Sequence, residues 1–339
     1  TTQYNAGLDI SILKNRVNFV IDAYKKYTSD LLQYVYIPIS TGFSSIASNY
    51  GNVENKGLEL AGNFFLIQNK DFTWKMDANI SFNRNKIGGL NSDQFSDVCW
   101  GMESMFLRRN GQPIGIIYGY QEDGFFDNEA EVRAYKMYKN ETDAKIRSMI
   151  GQIKYKDNNG DGVIDPLDKA IIGNTNPDFT YGYTNSFTYK DISLSFFFQG
   201  TQGNDILNVN LQNYDLASTG NMPQFVWDNR WTDANRENAE FPRADNTFTR
   251  SLKASERYVE DGAYLRLKNL SLAYRFLHPI KDIEALNLTL SANNLFTLTK
   301  YRWYDPDVNT FGSDTSRRGV DMNSYPSART VSLGIQLTL

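Results

Sequence analysis

The chain has 339 residues, a formal net charge of −4 and 14% aromatic side chains, with a mean hydropathy of −0.50 and a pI near 5.3. No run approaches the ~18 apolar residues of a membrane-crossing helix, which excludes a helical membrane protein, and an acidic balance without a basic stripe argues against nucleic acid as a partner. A membrane β-barrel is not excluded, because strands that alternate lipid-facing and lumen-facing side chains average to a polar composition rich in aromatic residues.

Alternation of apolar and polar residues governs the chain from its start. Leu8, Ile10 and Ile12 share one face, opposite Gly7, Asp9 and Ser11. A short turn at Asn15 and Arg16 leads into Val17, Phe19, Ile21 and Ala23, and the spacing predicts a tight hairpin whose second strand continues toward Tyr36. After Pro38 and a loop rich in Gly, Ser and Asn, a third strand sets Leu58, Leu60, Phe64 and Leu66 against Glu59, Ala61 and Asn63. A charged turn at 69–71 precedes a fourth, in which Trp74, Met76, Ala78, Ile80 and Phe82 oppose Thr73, Lys75, Asp77, Asn79 and Ser81. Strands of about ten residues, joined alternately by tight turns and long loops, suit a spanning barrel; soluble strands are typically about half as long.

A further strand pair is expected between 107 and 126, with breaks at Gly111, Gly115, Gly119 and Gly124. Residues 127–149 lose the two-residue period, lack Gly and Pro, and predict a short surface helix in a long loop. The same loop carries Asp157-Asn158-Asn159-Gly160-Asp161-Gly162-Val163-Ile164-Asp165-Pro166-Leu167-Asp168. Asp157, Asn159, Asp161, Asp165 and Asp168 place side-chain oxygens at positions 1, 3, 5, 9 and 12, Gly162 occupies the sharp turn, and Val163 can offer its carbonyl. Carboxylates crowded in this way repel one another unless a hard cation sits between them, so the spacing predicts a structural Ca²⁺ site anchored by Ile164. Asp168 stands where helix-loop-helix calcium sites prefer a bidentate Glu, and a metal-free loop built from Asx turns is the alternative.

Strands resume at Phe179, with Tyr181, Tyr183, Phe187 and Tyr189 opposite Thr180, Gly182, Thr184, Ser186 and Thr188; Lys190-Asp191 then turns the chain into Ile192, Leu194, Phe196 and Phe198. An insertion over 204–260 scatters Tyr214, Phe225, Trp227, Trp231, Phe241 and Phe248 among Asn, Asp and Arg. Two more strands, 264–276 and 286–298, are followed by a third insertion over 300–328. The terminal strand alternates Val331, Leu333, Ile335, Leu337 and Leu339 with Ser332, Gly334, Gln336 and Thr338. The single cysteine, Cys99, rules out an internal disulfide framework.

Asn5-Ala-Gly-Leu-Asp9, Lys26-Tyr-Thr-Ser-Asp-Leu-Leu32, Asn52-Val-Glu-Asn-Lys-Gly-Leu-Glu59, Asn176-Pro-Asp-Phe179, Asp261-Gly-Ala-Tyr-Leu-Arg-Leu-Lys-Asn-Leu270, Ala292-Asn-Asn-Leu-Phe296 and Tyr325-Pro-Ser-Ala-Arg329 resemble, in order along the chain, the C-terminal barrel motifs of SusC/RagA-type TonB-dependent outer-membrane transporters. The resemblance implies an all-β fold, a transmembrane antiparallel β-barrel of about 22 strands, of which this chain would hold about ten C-terminal strands. The insertions 127–178, 204–260 and 300–328 would be extracellular loops. The remaining strands, a plug domain and the segment that contacts TonB would lie in an N-terminal region outside this chain, which starts at Thr1 rather than Met. On this reading the terminal strand pairs with the strand over 286–298 and, on its other side, with a first barrel strand outside the chain, because every strand edge in lipid must be paired. Leu339 stands where such barrels usually end on an aromatic residue.

The implied function is transport without chemistry of its own. Glycans would be imported across the outer membrane of a Gram-negative bacterium of Bacteroidetes type, together with a SusD-like surface lipoprotein and with energy from TonB. Trp227, Trp231, Tyr301, Trp303 and Tyr304 are the candidates to stack on sugar rings, although the same residue types would handle peptides. Two other readings stay open. One is a self-contained ten-stranded barrel hydrolase using His278, the only histidine, which directly precedes Pro279 and reads better as a turn residue. The other is a soluble β-rich adhesin or carbohydrate-binding module.

Overall fold

A computed structural model describes the chain except residues 37–38, 44, 50, 99–102, 213–220, 245–252, 281–282 and 339. Pro38, Cys99, Tyr214, Phe248 and Leu339 thus lie outside the described residues. The alternating segments form nine long strands: β1 (Thr2–Ile12), β2 (Val17–Thr28), β3 (Asn52–Gln68), β4 (Phe72–Gly88), β5 (Phe179–Tyr189), β6 (Ile192–Gln202), β7 (Tyr264–Ile280), β8 (Ile283–Thr299) and β9 (Thr330–Thr338). They are hydrogen-bonded in chain order into one antiparallel sheet. No described helix is long and apolar enough to cross a membrane.

Register aligns the alternation across the sheet. Trp74, Phe187, Leu194, Leu272, Leu290 and Leu333 are successive cross-strand partners from β4 to β9. One residue along each strand, on the opposite face, runs Lys75, Ser186, Ser195, Ser271, Ser291 and Ser332. Large apolar side chains on the first face are exposed, among them Leu272, Leu290, Leu333 and Ile335. A surface this apolar is stable against hydrocarbon rather than water, and the opposite face of small hydroxyl residues suits a lumen. The one polar residue inserted into the apolar rows at this level, Asn185, is satisfied across the sheet, where Trp74 Nε1 donates to its Oδ1 at 3.0 Å.

The short connections share one end of the sheet and the long ones the other. The first hairpin turns over 13–16, with Leu13, Lys14 and Asn15 all at positive φ (52°, 57° and 64°). This is a longer turn than the pair Asn15 and Arg16 expected from sequence. Lys190-Asp191 makes the expected tight turn, with Lys190 at φ 51°. Among the described residues the sheet is open: β1 pairs only with β2, and β9 only with β8.

Two sequence expectations are corrected by where hydrogen bonds close. Strand β2 ends at Thr28 instead of running to Tyr36; Leu32–Tyr36 pairs with Ser45–Asn49 in a separate hairpin. The segment over 107–126 supplies no spanning strands, because its glycines limit it to short pieces, Ile116–Gly119 and Glu122–Phe125. Among the described residues the long strands therefore number nine, where about ten were expected.

Three of the four long connections, over 89–178, 203–263 and 300–329 and called the first, second and third below, fold together into one domain at the end of the sheet opposite the short turns. Asp205–Asn208, from the second connection, pairs antiparallel with Val259–Asp261 and parallel with Val320–Asp321 from the third. Met105, Phe106 and Ile117 from the first connection share a core with Leu207, Val226, Phe241 and Tyr258 from the second and Val320 from the third. The insertions over 204–260 and 300–328 thus pack with residues that precede the expected insertion over 127–178, and that insertion joins them through Arg243 N, which donates to Gly151 O at 2.7 Å.

Candidate functional site

Within this domain the region expected to be helical forms α1 (Glu129–Ala134) and α2 (Asp143–Met149), two short helices separated by a single 3₁₀ turn at Lys136–Tyr138. Asn128 caps α1 by accepting from Glu131 N, and Thr142 caps α2 by accepting from Lys145 N. Val132, Ile146 and Met149 bury one face of the pair against Phe126.

The acidic loop leaves this helical unit through nested turns. Asp157 accepts from Gly160 N and Gly162 N, both at 2.7 Å. Asn159 accepts from Asp161 N at 2.9 Å and Asp161 from Val163 N at 2.8 Å. Gly160 and Gly162 sit at φ 76° and 79°, the left-handed conformation that only glycine adopts without strain. Asp168 is fully buried, accepting from Asn158 N, Asn159 N and Asp165 N, and Asp165 caps the turn Pro166–Asp168. Ile164 is buried, as its anchoring position predicts.

Every potential ligand in the loop is oxygen, the donor chemistry of a hard cation. Among the described residues, however, no group of three or more His, Cys, Asp or Glu side chains stands close enough to share an ion. Backbone N–H groups balance the carboxylates in this conformation.

The five aromatic candidates divide by burial. Trp227 (48% exposed) and Tyr304 (74%) present ring surface to solvent, and the Arg230 guanidinium lies 3.4 Å from the Trp227 ring centroid. Trp303 is half-buried and packs edge-on against Tyr304, centroids 5.4 Å apart. Trp231 (3% exposed) and Tyr301 (4%) are corrected from surface contacts to packing residues. Trp231 donates from Nε1 to Asp127 at 3.3 Å, and Tyr301 donates its hydroxyl to Asp321 at 2.6 Å. Burial and that carboxylate push the Tyr301 hydroxyl pKa far above its ordinary value. In both cases the polar tip meets an acid, Trp231 on another connection and Tyr301 twenty residues along its own, which lets the ring be buried. His278 is exposed at φ 46° within β7, at the register irregularity between Leu277 and Ile280, and not in the turn expected from sequence.

Sequence reasoning missed a cleft beside α1 and α2. Phe126, Tyr135, Tyr138, Met149 and Ile164 wall a cavity of about 100 Å³ that opens to solvent, and Gln152 and Lys253 also line it. Burial pushes the Tyr135 hydroxyl up to about 12, and it donates to Tyr155 O at 2.8 Å. Neither Gln152 nor Lys253 lies in a motif, and no local signal links them.

No family model matches the chain. It is 31% identical over 352 residues to TonB-dependent receptor P26 of Formosa agariphila, covering 100% of this chain and 34% of that protein. It is 29% identical over 343 residues to TonB-dependent receptor SusC of Bacteroides thetaiotaomicron, covering 99% of this chain and 32% of that protein. Its fold is similar to that of the RagAB peptide transporter, with a TM-score of 0.77 at 23% identity, over 99% of this chain and 34% of the transporter chain. The chain thus spans about a third of the length of the relatives it matches.

Proposed function

Because the chain belongs to the SusC/RagA-type TonB-dependent outer-membrane transporters, we propose that it forms nine wall strands and a substrate-facing loop domain of an importer driven by TonB and closed by a SusD-like lipoprotein. The observation that carries this reading is the open sheet with an apolar outer face. Unpaired strand edges are untenable in hydrocarbon, so β1 and β9 would each join further strands of the same barrel. The long connections would then face the cell exterior, where a lipoprotein lid could close on them.

The cargo proposed is an oligosaccharide, on the strength of the exposed ring faces of Trp227 and Tyr304, which suit stacking on pyranose faces. Peptide is the second reading, favoured by Arg230 stacked on Trp227, a cation placed where a peptide carboxylate could pair. We further propose that Ca²⁺ is held by Asp157, Asn159, Asp161, Asp165, Asp168 and the Val163 carbonyl, which would order the loop without taking part in chemistry. Titrating the intact transporter and its lipoprotein with panels of oligosaccharides and of peptides tests the cargo. Saturable oligosaccharide binding lost in Trp227→Ala supports the first reading; binding confined to peptides overturns it.

A further inference from the structure

The cleft beside α1 and α2 combines apolar walls with two polar groups whose chemistry is incomplete. Gln152 is 4% exposed, and among the described residues its Nε2 has no hydrogen-bond partner. A buried donor left this way destabilises the fold unless an acceptor reaches it. Lys253 brings an ammonium to the same lining, 4.5 Å from the Tyr120 ring centroid and 5.9 Å from that of Tyr155. Glu103, the acid that most favours its charge, is itself paired with Lys169 at 2.6 Å. Burial lowers the Lys253 pKa, so an anion beside it would restore favourable surroundings for the charge.

We propose that this cleft binds an apolar group carrying a carboxylate, with one carboxylate oxygen accepting from Gln152 Nε2 and the anion pairing with Lys253. The walls decide the class. Phe126, Met149 and Ile164 offer nothing to sugar hydroxyls, and the Tyr135 hydroxyl already donates to a backbone carbonyl. One amide donor and one cation match a two-oxygen carboxylate better than a phosphate with three oxygens to satisfy. Ile164 is also the buried anchor of the acidic loop, and Met137 N donates to Gly162 O at 3.2 Å, so ligand occupancy and loop conformation share a wall. The assignment does not depend on whether the bulk cargo is glycan or peptide.

The test is calorimetric titration of the intact transporter in detergent with N-acetyl-L-phenylalanine, octanoate, N-acetyl-L-phenylalaninamide and glucuronate, alongside thermal unfolding of each variant. At least one of the first two binds, and which of them does so separates a peptide terminus from a fatty acid as the source. Gln152→Leu and Lys253→Gln each weaken that binding ~10-fold while the protein stays folded. If Gln152→Leu fails to fold, Lys253→Gln alone decides. The proposal is overturned if neither apolar carboxylate binds at millimolar concentration, if Lys253→Gln leaves binding unchanged, or if the amide or glucuronate binds as tightly.

Discussion

Arg266 and Asp305 form an ion pair sealed from solvent where β7 meets the third long connection. Arg266 also donates from Nε to Thr297 Oγ1 on β8 at 2.9 Å and from Nη1 to Ser327 Oγ at 3.1 Å. Asp305 accepts in turn from Ser327 N and Asp307 N, both at 2.9 Å. The network fastens the loop domain to the rim of the sheet, and every member has a partner. Such a pair contributes little beyond an apolar replacement, yet removing one member is costly because the other remains buried and charged.

Arg266→Met should therefore cost about 3–5 kcal/mol in denaturant unfolding, and adding Asp305→Leu should recover most of it. A double variant no better than the single would refute the pairing argument. Burial alone would raise the Asp305 pKa, but the Ser327 and Asp307 N–H groups and Arg266 outweigh it and hold the value below the ordinary range. With the folded pKa beneath an unfolded value of about 3.9, the stabilisation is fully present above that pH. It is lost as pH falls through the folded pKa. Thermal stability should drop on acidification below about pH 4, and less steeply in Arg266→Met.

The two faces of the sheet make opposite demands at adjacent residues. Leu290→Arg, in the apolar row, should cost about 2–4 kcal/mol in bilayer refolding. Ser291→Asn, on the other face, should change stability by less than about 0.5 kcal/mol. Equal losses at both positions would contradict the assignment of lipid and lumen faces.

Calcium should protect the segment 157–168 from proteolysis and give a saturable heat signal on titration. Asp157→Ala and Asp161→Ala should abolish both while leaving barrel unfolding unchanged, since neither side chain contributes to the core shared by the three connections. Absence of any signal at millimolar Ca²⁺ removes the cation from the account and leaves the Asx-turn loop.

Burial separates the two tryptophans of the second connection. Trp231→Ala should cost about 3–5 kcal/mol, as expected for an emptied buried aromatic site, because Trp231 is packed and hydrogen-bonded to Asp127. Trp227→Ala should leave stability within about 0.5 kcal/mol and weaken cargo binding. If instead Trp231→Ala unfolds at the wild-type midpoint, its packing role is wrong.

The strands and their faces were legible in the sequence because a period of two is a local property. Val331 to Leu337 announce a two-faced strand without reference to any partner, and the predicted pairing of that strand with the one over 286–298 appears as Leu290 against Leu333. Tight turns such as Lys190-Asp191 then set register within one hairpin at a time. The loop domain was not legible, because its contacts join segments with no period and great separation in sequence. Trp231 and Trp227 are equivalent by composition and only four residues apart, and it is Asp127, on another connection, that draws one inward. Gln152 and Lys253 likewise meet around one cleft only after the connections pack together. The sequence by itself determined a sheet with two different solvents; the tertiary structure decided which loop residues are buried, since that depends on partners the chain supplies from elsewhere.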